Sequence, residues 1–179
     1  MLISFERRFV FVHVNKAAGT SIQRALEPFA KRRLHPLARQ AMRLHVDRLL
    51  PVERRMFREH ATADQIRRSL PSGVFDSFYT FAFVRNPWDR LVSQYSYLLR
   101  TESHRHHAIV KAMDGFGDYV DFQLARGSWL QSTYVVDRDG KILVDFVGRF
   151  ERLTDDFSTV CETIGVEATM PHVNASKHK

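Results

Sequence analysis

Residues 9–14 read FVFVHV, a run of aromatic and β-branched residues with one polar interruption, and they break into Asn-Lys-Ala-Ala-Gly-Thr-Ser. A strand wetted on one face alternates between apolar and polar residues, whereas one covered on both faces is apolar throughout. This run therefore predicts a strand of a parallel sheet, and residues 78–84, FYTFAFV, predict a second. Parallel strands need helical crossovers. After the first run, Ile22, Ala25, Leu26 and Phe29 recur at helical spacing, with Pro28 and Pro36 bracketing the end. After the second, Asn86 suits an N-cap, Pro87 the first helical position and Asp89 the first turn. The helix that follows places Trp88, Leu91, Val92, Tyr95, Leu98 and Leu99 on one apolar face, expected to be buried. Asn86, Asp89, Arg90, Ser93 and Tyr97 form the opposite stripe.

Residues 37–70 read as two or three arginine-rich amphipathic helices with breaks near Pro51 and Thr62, and 101–128 as a loop and a short helix. TYVV-DRDG-KILVDFV reads as a hairpin turning at Asp139-Gly140, and Glu151 to Ile164 as a last helix. The prediction is an α/β fold: a single domain over residues 1–179, with a mainly parallel central sheet flanked by helices.

With 179 residues, the chain can bury a core without disulfides or metal. Its sole cysteine, Cys161, excludes an internal disulfide and argues against a structural zinc site. Glu6, Arg7 and Arg8 interrupt MLISFERRFVFVHV, so no secretory leader or membrane span is read there and a cytoplasmic location is expected. Charge is uneven: residues 24–68 hold twelve Lys/Arg against five acids, a surplus equal to the whole chain's net +7. Such a segment attracts polyanions or acidic substrates. Phe29 and Phe57 are its only aromatics, too few for base stacking, so no nucleic-acid partner is expected.

The loop between the first strand and its helix has the means to hold an anion, since free backbone N–H groups and the helix dipole both point at it. Ala17, Ala18 and Gly19 let the backbone approach closely, Lys16 brings charge, and Thr20 and Ser21 bring hydroxyls. The order G-x-x-x-x-G-K-[ST] of a magnesium-nucleotide loop is absent, because here the lysine precedes the glycine. At the end of the second strand stands Arg85, with Ser93 eight positions on. Arg85 and Ser93 can share the crevice above the sheet's carboxyl edge, where ligands of open α/β sheets bind. Two anion sites on neighbouring strands call for a ligand with two separated phosphates.

These segments resemble those of the sulfotransferases that use 3′-phosphoadenosine 5′-phosphosulfate (PAPS), in particular the carbohydrate branch. HVNKAAGTSI resembles the family's 5′-phosphosulfate loop, commonly PKTGGTS or PKTAGTS, and FVRNPWDRLVSQY its 3′-phosphate motif. VGRFERLTDDF and PHVNASKH share the family's look, so the resemblance covers nearly the whole chain. Asn15 in place of proline and Ala17 in place of threonine are departures that the loop should tolerate. The resemblance implies a P-loop NTPase-like sulfotransferase fold. It implies that Lys16, Ala18, Gly19, Thr20 and Ser21 hold the phosphosulfate, and that Arg85 and Ser93 hold the 3′-phosphate. It also implies that Lys16 stabilises the leaving oxygen without a metal, and that the acceptor is a hydroxyl of a carbohydrate, an acidic one being an option.

Transfer to an alcohol needs a base that works near neutral pH, which suits histidine. Of His13, His35, His45, His60, His104, His106, His107, His172 and His178, the choice falls on His60. REHATADQIRRSL resembles the family segment that carries the base, and a helix start at Ala61-Thr62-Ala63-Asp64 leaves His60 on the preceding loop. Glu59 is the fallback. His13, on the first strand, reads as a buried structural histidine, and His104-Arg105-His106-His107 as a solvated loop rather than a metal site. Arg85 has a competing reading as the partner of Asp89 or Glu151. Gln131 and Ser132, and the tail residues Asn174, Ser176 and Lys177, are weighed between a role at the donor and none. The competing functions are a non-catalytic polyanion-binding module built on the arginine-rich segment, and a P-loop nucleotide kinase, which the missing lysine order disfavours.

Overall fold

The computed structural model describes residues 1–30, 59–127 and 130–171. Four strands form one sheet in the order β1 (Leu2–Ser4), β2 (Phe9–Val12), β3 (Tyr79–Val84), β4 (Phe146–Arg149). β2, β3 and β4 are parallel, with Phe9 opposite Tyr79 and Phe81 opposite Phe146, and β1 adds an antiparallel edge. The two apolar runs are thus neighbouring inner strands.

Because side chains alternate along a strand, each run feeds both faces. Phe9, Phe11, Phe81 and Phe83 point to one face and pack with α1 (Gly19–Leu26) and the last helix. Val10, Val12 and Ala82 point to the other and meet α2 (Ala63–Ser69), the short α3 (Val74–Ser77) and Tyr134. Burial of each phenylalanine contributes about 2 kcal/mol, and the Phe11 and Phe81 rings stack with centroids 5.3 Å apart. α2 begins where expected: Thr62 Oγ1 accepts from Gln65 N–H, and the Gln65 side chain accepts from Thr62 N–H, a capping box. The rest of the arginine-rich segment lies outside the described residues.

Three expectations need correction. The hairpin is reduced to one bridge, Val136 to Ile142, around a turn at Gly140 with φ of 80°. Its second run goes on to form β4, parallel to β3, because Asp145 is tied to Thr80. Its carboxylate accepts from Thr80 N–H and Oγ1–H at 2.8 Å each. Gly148 fits there because any Cβ would collide with the Phe83 ring. The described residues of the stretch 101–128 hold two short helices rather than one, α5 (His107–Lys111) and α6 (Phe116–Ala125).

The third correction concerns α4 (Pro87–Arg100). Of its expected inner face, Trp88, Val92 and Leu99 are exposed, by 68%, 36% and 38% of their surface, while Ser93 is buried. α4 does not lie flat on the sheet: none of its residues joins the two sheet clusters, and Leu91, Tyr95 and Leu98 instead pack with Val110, Phe116 and Tyr119. The last helix among the described residues is α7 (Leu153–Ile164), entered through a 3-10 turn at Phe150–Arg152. No helix among the described residues is long and apolar enough to cross a membrane.

Candidate active site

Beyond the carboxyl ends of β2 and β3 opens a cleft of about 1220 Å3. Lys16, Ala18, Gly19, Thr20, Ser21, His60, Arg85 and Ser93 all line it. The structure therefore brings together every residue that the sequence assigned to the donor and the base.

The loop after β2 is unusual in its backbone. Lys16 and Ala18 hold positive φ, 64° and 58°, conformations that cost roughly 1–2 kcal/mol for a residue with a Cβ. Ala18 occupies the N-cap of α1 and gives no side-chain cap. Gly19 is fixed by packing, since a Cβ there would run into the imidazole of His13. The Lys16 ammonium lies 4.2 Å above the ring of Tyr97, on α4. Burial first, then Arg100 and Arg85, bring its pKa down to about 8.

The loop after β3 is organised by side chains. Asn86 Oδ1 caps α4 by accepting from Trp88 N–H at 2.9 Å, and Asn86 N–H donates to Glu151 Oε1 at 2.7 Å. The Arg85 guanidinium sits 4.1 Å over the Phe150 ring. Its Nε is buried with no hydrogen-bond partner. Arg85 forms no ion pair with Asp89 or Glu151 among the described residues, so the competing reading of Arg85 as their partner fails. Burial lowers its pKa against the pull of those two carboxylates. A half-buried guanidinium with an unused N–H is suited to an oxyanion.

The two loops are joined by Gln131, in a 3-10 turn at Gln131–Tyr134. Its Oε1 accepts from Arg85 N–H at 2.8 Å, and its Nε2 donates to the Asn15 carbonyl at 2.7 Å. Tyr134, in the same turn, accepts through its hydroxyl from Asn15 Nδ2 at 2.8 Å. One amide thus sets the spacing of the two loops, while Ser132 has no place among the cleft residues.

His60 stands on the loop before α2 with its Nδ1 3.2 Å from the His13 carbonyl oxygen. A carbonyl only accepts, so Nδ1 carries the hydrogen of the neutral ring and Nε2 keeps the lone pair. The His60 ring meets that of His13 edge-on at 4.8 Å. His13 is buried as expected; burial, then the N-terminal ammonium and His60, push its pKa down to about 3. It stays neutral and supports its neighbours. Glu59 also lines the cleft, with a carboxylate oxygen 3.8 Å from His13 Nδ1.

Two features escaped the sequence reading. His104, Arg105 and His106 are not a solvated loop apart: they line the far end of the same cleft, with Arg100 and Arg126. Among the described residues no three of His, Cys, Asp and Glu converge on a metal position. The described part of the arginine-rich segment is also less free than its charge suggested. Arg67 pairs with Asp76 at 3.2 Å, and Arg68 pairs with Asp64. Positive charge gathers instead in the cleft, where Lys16, Arg85, Arg90, Arg100, Arg105 and Arg126 face Glu59 as the one carboxylate among the described lining residues. His35, His45, His172 and His178, with Asn174, Ser176 and Lys177, lie outside the described residues.

Comparison with known proteins adds a name for this arrangement. A model described as the sulfotransferase family matches residues 1–179. Over 112 residues the chain is 28% identical to an uncharacterized protein of Archaeoglobus fulgidus, covering 56% of this chain and 79% of the relative. No solved structure matches it.

Proposed function

The chain belongs to the sulfotransferase family and is a sulfuryl-transferring enzyme; from that premise we propose that the donor is PAPS and the acceptor a hydroxyl of a carbohydrate. The Lys16 loop is then a P-loop-like cradle in which Ala18, Gly19, Thr20 and Ser21 hold the 5′-phosphosulfate. Arg85 and Ser93 hold the 3′-phosphate, and the whole of residues 1–179 works as one catalytic domain.

The transfer is a single in-line displacement. The acceptor oxygen attacks sulfur as the bond from sulfur to the bridging phosphate oxygen breaks, and that electron pair stays on the phosphate of the departing adenosine 3′,5′-bisphosphate. The hydroxyl proton passes to Nε2 of His60, the nitrogen left free by the bond to the His13 carbonyl. Lys16 stabilises charge as it grows on the leaving oxygen. With its pKa brought down to about 8 by burial, the ammonium is still charged at neutral pH and able to oppose that charge.

The observation that carries this reading is the convergence of Lys16, Arg85, Ser93 and His60 on one cleft whose two loops share Gln131. Radiolabelled PAPS screened against glycan, lipid and phenol acceptors tests the reading. His60→Gln should lower kcat by roughly 10²- to 10⁴-fold and leave the affinity for adenosine 3′,5′-bisphosphate within about twofold. Unchanged turnover in His60→Gln removes His60 as the base, and wild type that neither turns over PAPS nor binds the bisphosphate removes the donor.

A further inference from the structure

Tyr134 ends the 3-10 turn that begins with Gln131. It is buried, with 7% of its surface exposed, yet it lines the cleft. Two contacts fix where it stands. Its hydroxyl oxygen accepts from Nδ2 of Asn15, the residue before Lys16, at 2.8 Å. Its ring belongs to the buried cluster that holds Val12, Val14 and Ala61, the last being the residue after His60. Tyr134 therefore sits among the neighbours of both the lysine assigned to the leaving oxygen and the histidine assigned to the base. Arg90, from α4, is near enough for its charge to act on the phenol.

A phenol has a hydrogen to give as well as lone pairs that receive. The Asn15 amide nitrogen is a donor, so its bond occupies a lone pair and leaves the hydrogen unused, and no acceptor for it occurs among the described residues. Burial raises the pKa of Tyr134 over the opposing pull of the Asn15 bond and of Arg90, so the hydroxyl keeps its proton. Packing of the ring among Val12, Val14 and Ala61 has no need of that hydroxyl. A fixed donor at the wall of a cleft is preorganised for an oxyanion. On the sulfuryl-transfer reading, the group that passes between Lys16 and His60 is the sulfuryl itself, whose oxygens carry negative charge. We propose that the Tyr134 hydroxyl donates to a sulfuryl oxygen, which makes Tyr134 a further catalytic residue that aligns the group for in-line attack. It transfers no proton: the hydrogen stays on the phenol while the bond from sulfur to the phosphate oxygen breaks and the bond to the acceptor oxygen forms. Asn15 directs the hydroxyl by occupying its lone pair, a task that proline at position 15 could not perform. The inference rests on the sulfuryl-transfer reading and adds a residue to it.

PAPS and adenosine 3′,5′-bisphosphate differ only in the sulfuryl group, so calorimetric titration of both, without acceptor, isolates the contact. Tyr134→Phe keeps the ring and its packing. It should weaken PAPS binding about tenfold and leave the bisphosphate within about twofold. Single-turnover transfer to the acceptor found in the screen should fall by about 10- to 100-fold, as the reacting group loses its alignment. Asn15→Ala leaves the hydroxyl in place but frees its direction. It should weaken PAPS by less, with the bisphosphate again unmoved, and circular dichroism checks that both variants fold. Equal losses on the two nucleotides in Tyr134→Phe mean that the hydroxyl only steadies the loop, and this overturns the inference. So do PAPS binding and transfer that are undiminished in Tyr134→Phe while wild type binds both nucleotides. Wild type that binds neither nucleotide overturns the donor reading, and this inference with it.

Discussion

The loop after β2 and the loop after β3 occupy equivalent places, each at the carboxyl end of a buried parallel strand and each leading into a helix. They are built in opposite ways. At α4 the chain caps itself, with Asn86 on Trp88 N–H, Pro87 in the first turn and Glu151 on Asn86 N–H. At α1 it does not: Ala18 has no side-chain acceptor to cap with, two residues hold positive φ, and Gly19 leaves the backbone bare. A helix start that its own sequence leaves uncapped keeps N–H groups and dipole for a ligand. One that caps itself has side chains left to bind with, which on the proposed reading are those of Arg85 and Ser93. On that reading, backbone recognition falls to one end of the donor and side-chain recognition to the other.

The sharpest way to break this comparison is Lys16→Ala. With the developing charge unopposed, kcat should fall by roughly 10²- to 10³-fold, while adenosine 3′,5′-bisphosphate, still met by backbone N–H groups and by Arg85, loses far less affinity. Single-turnover rates beside calorimetry measure the two. An equal loss in both would mean that the lysine does the work assigned to the backbone.

Arg85→Ala comes next. Loss of one bidentate, partly buried charge contact should weaken bisphosphate binding about 30- to 100-fold. Adenosine 5′-monophosphate, which lacks the 3′ group, should bind wild type and variant alike. If both nucleotides weaken together, the division of labour between the loops is wrong.

A pH profile sharpens the contrast further. Lys16 titrates at about 8 in the free protein. It is charged below that pH and neutral above it, so kcat/KM for the donor should fall as pH rises through about 8. Lys16→Arg should push that alkaline limb out of range, because a guanidinium stays charged there. The smallest effect belongs to the self-capped loop, where Asn86→Ala should cost about 1 kcal/mol, read as a lowered Tm.

What was legible in the sequence was what depends on neighbours along the chain. The runs at 9–14 and 78–84 are apolar on both faces and became the inner strands β2 and β3. The helix start read at Ala61-Thr62-Ala63-Asp64 and the cap read at Asn86 with Pro87 depend on contacts within a few residues, and both mark real helix starts. The residues that line the cleft beyond β2 and β3 were legible too, as strand-to-helix loops announce themselves by composition. The misreadings lie where distant parts decide. Asp139-Gly140 does turn the chain, but the residues after it are claimed by β3, whose Thr80 is 65 positions from Asp145. The apolar stripe of α4 predicted burial, yet the helix packs on α5 and α6 rather than on the sheet, with Ser93 buried and Trp88 exposed. Nor did Arg105 or Arg126 signal membership of the cleft, because nothing in HRHH or in LARG says what stands opposite.

Gln131 holds residues 116 and 46 positions away from it. The two phosphate motifs are complete in the sequence by Tyr97, yet the amide that spaces them arrives only with the turn before β4. A fragment ending between them would keep the pairing of β2 with β3 and lose the amide that ties the Asn15 carbonyl to Arg85 N–H, so the strands would stay in register while the two loops beyond them were no longer bridged.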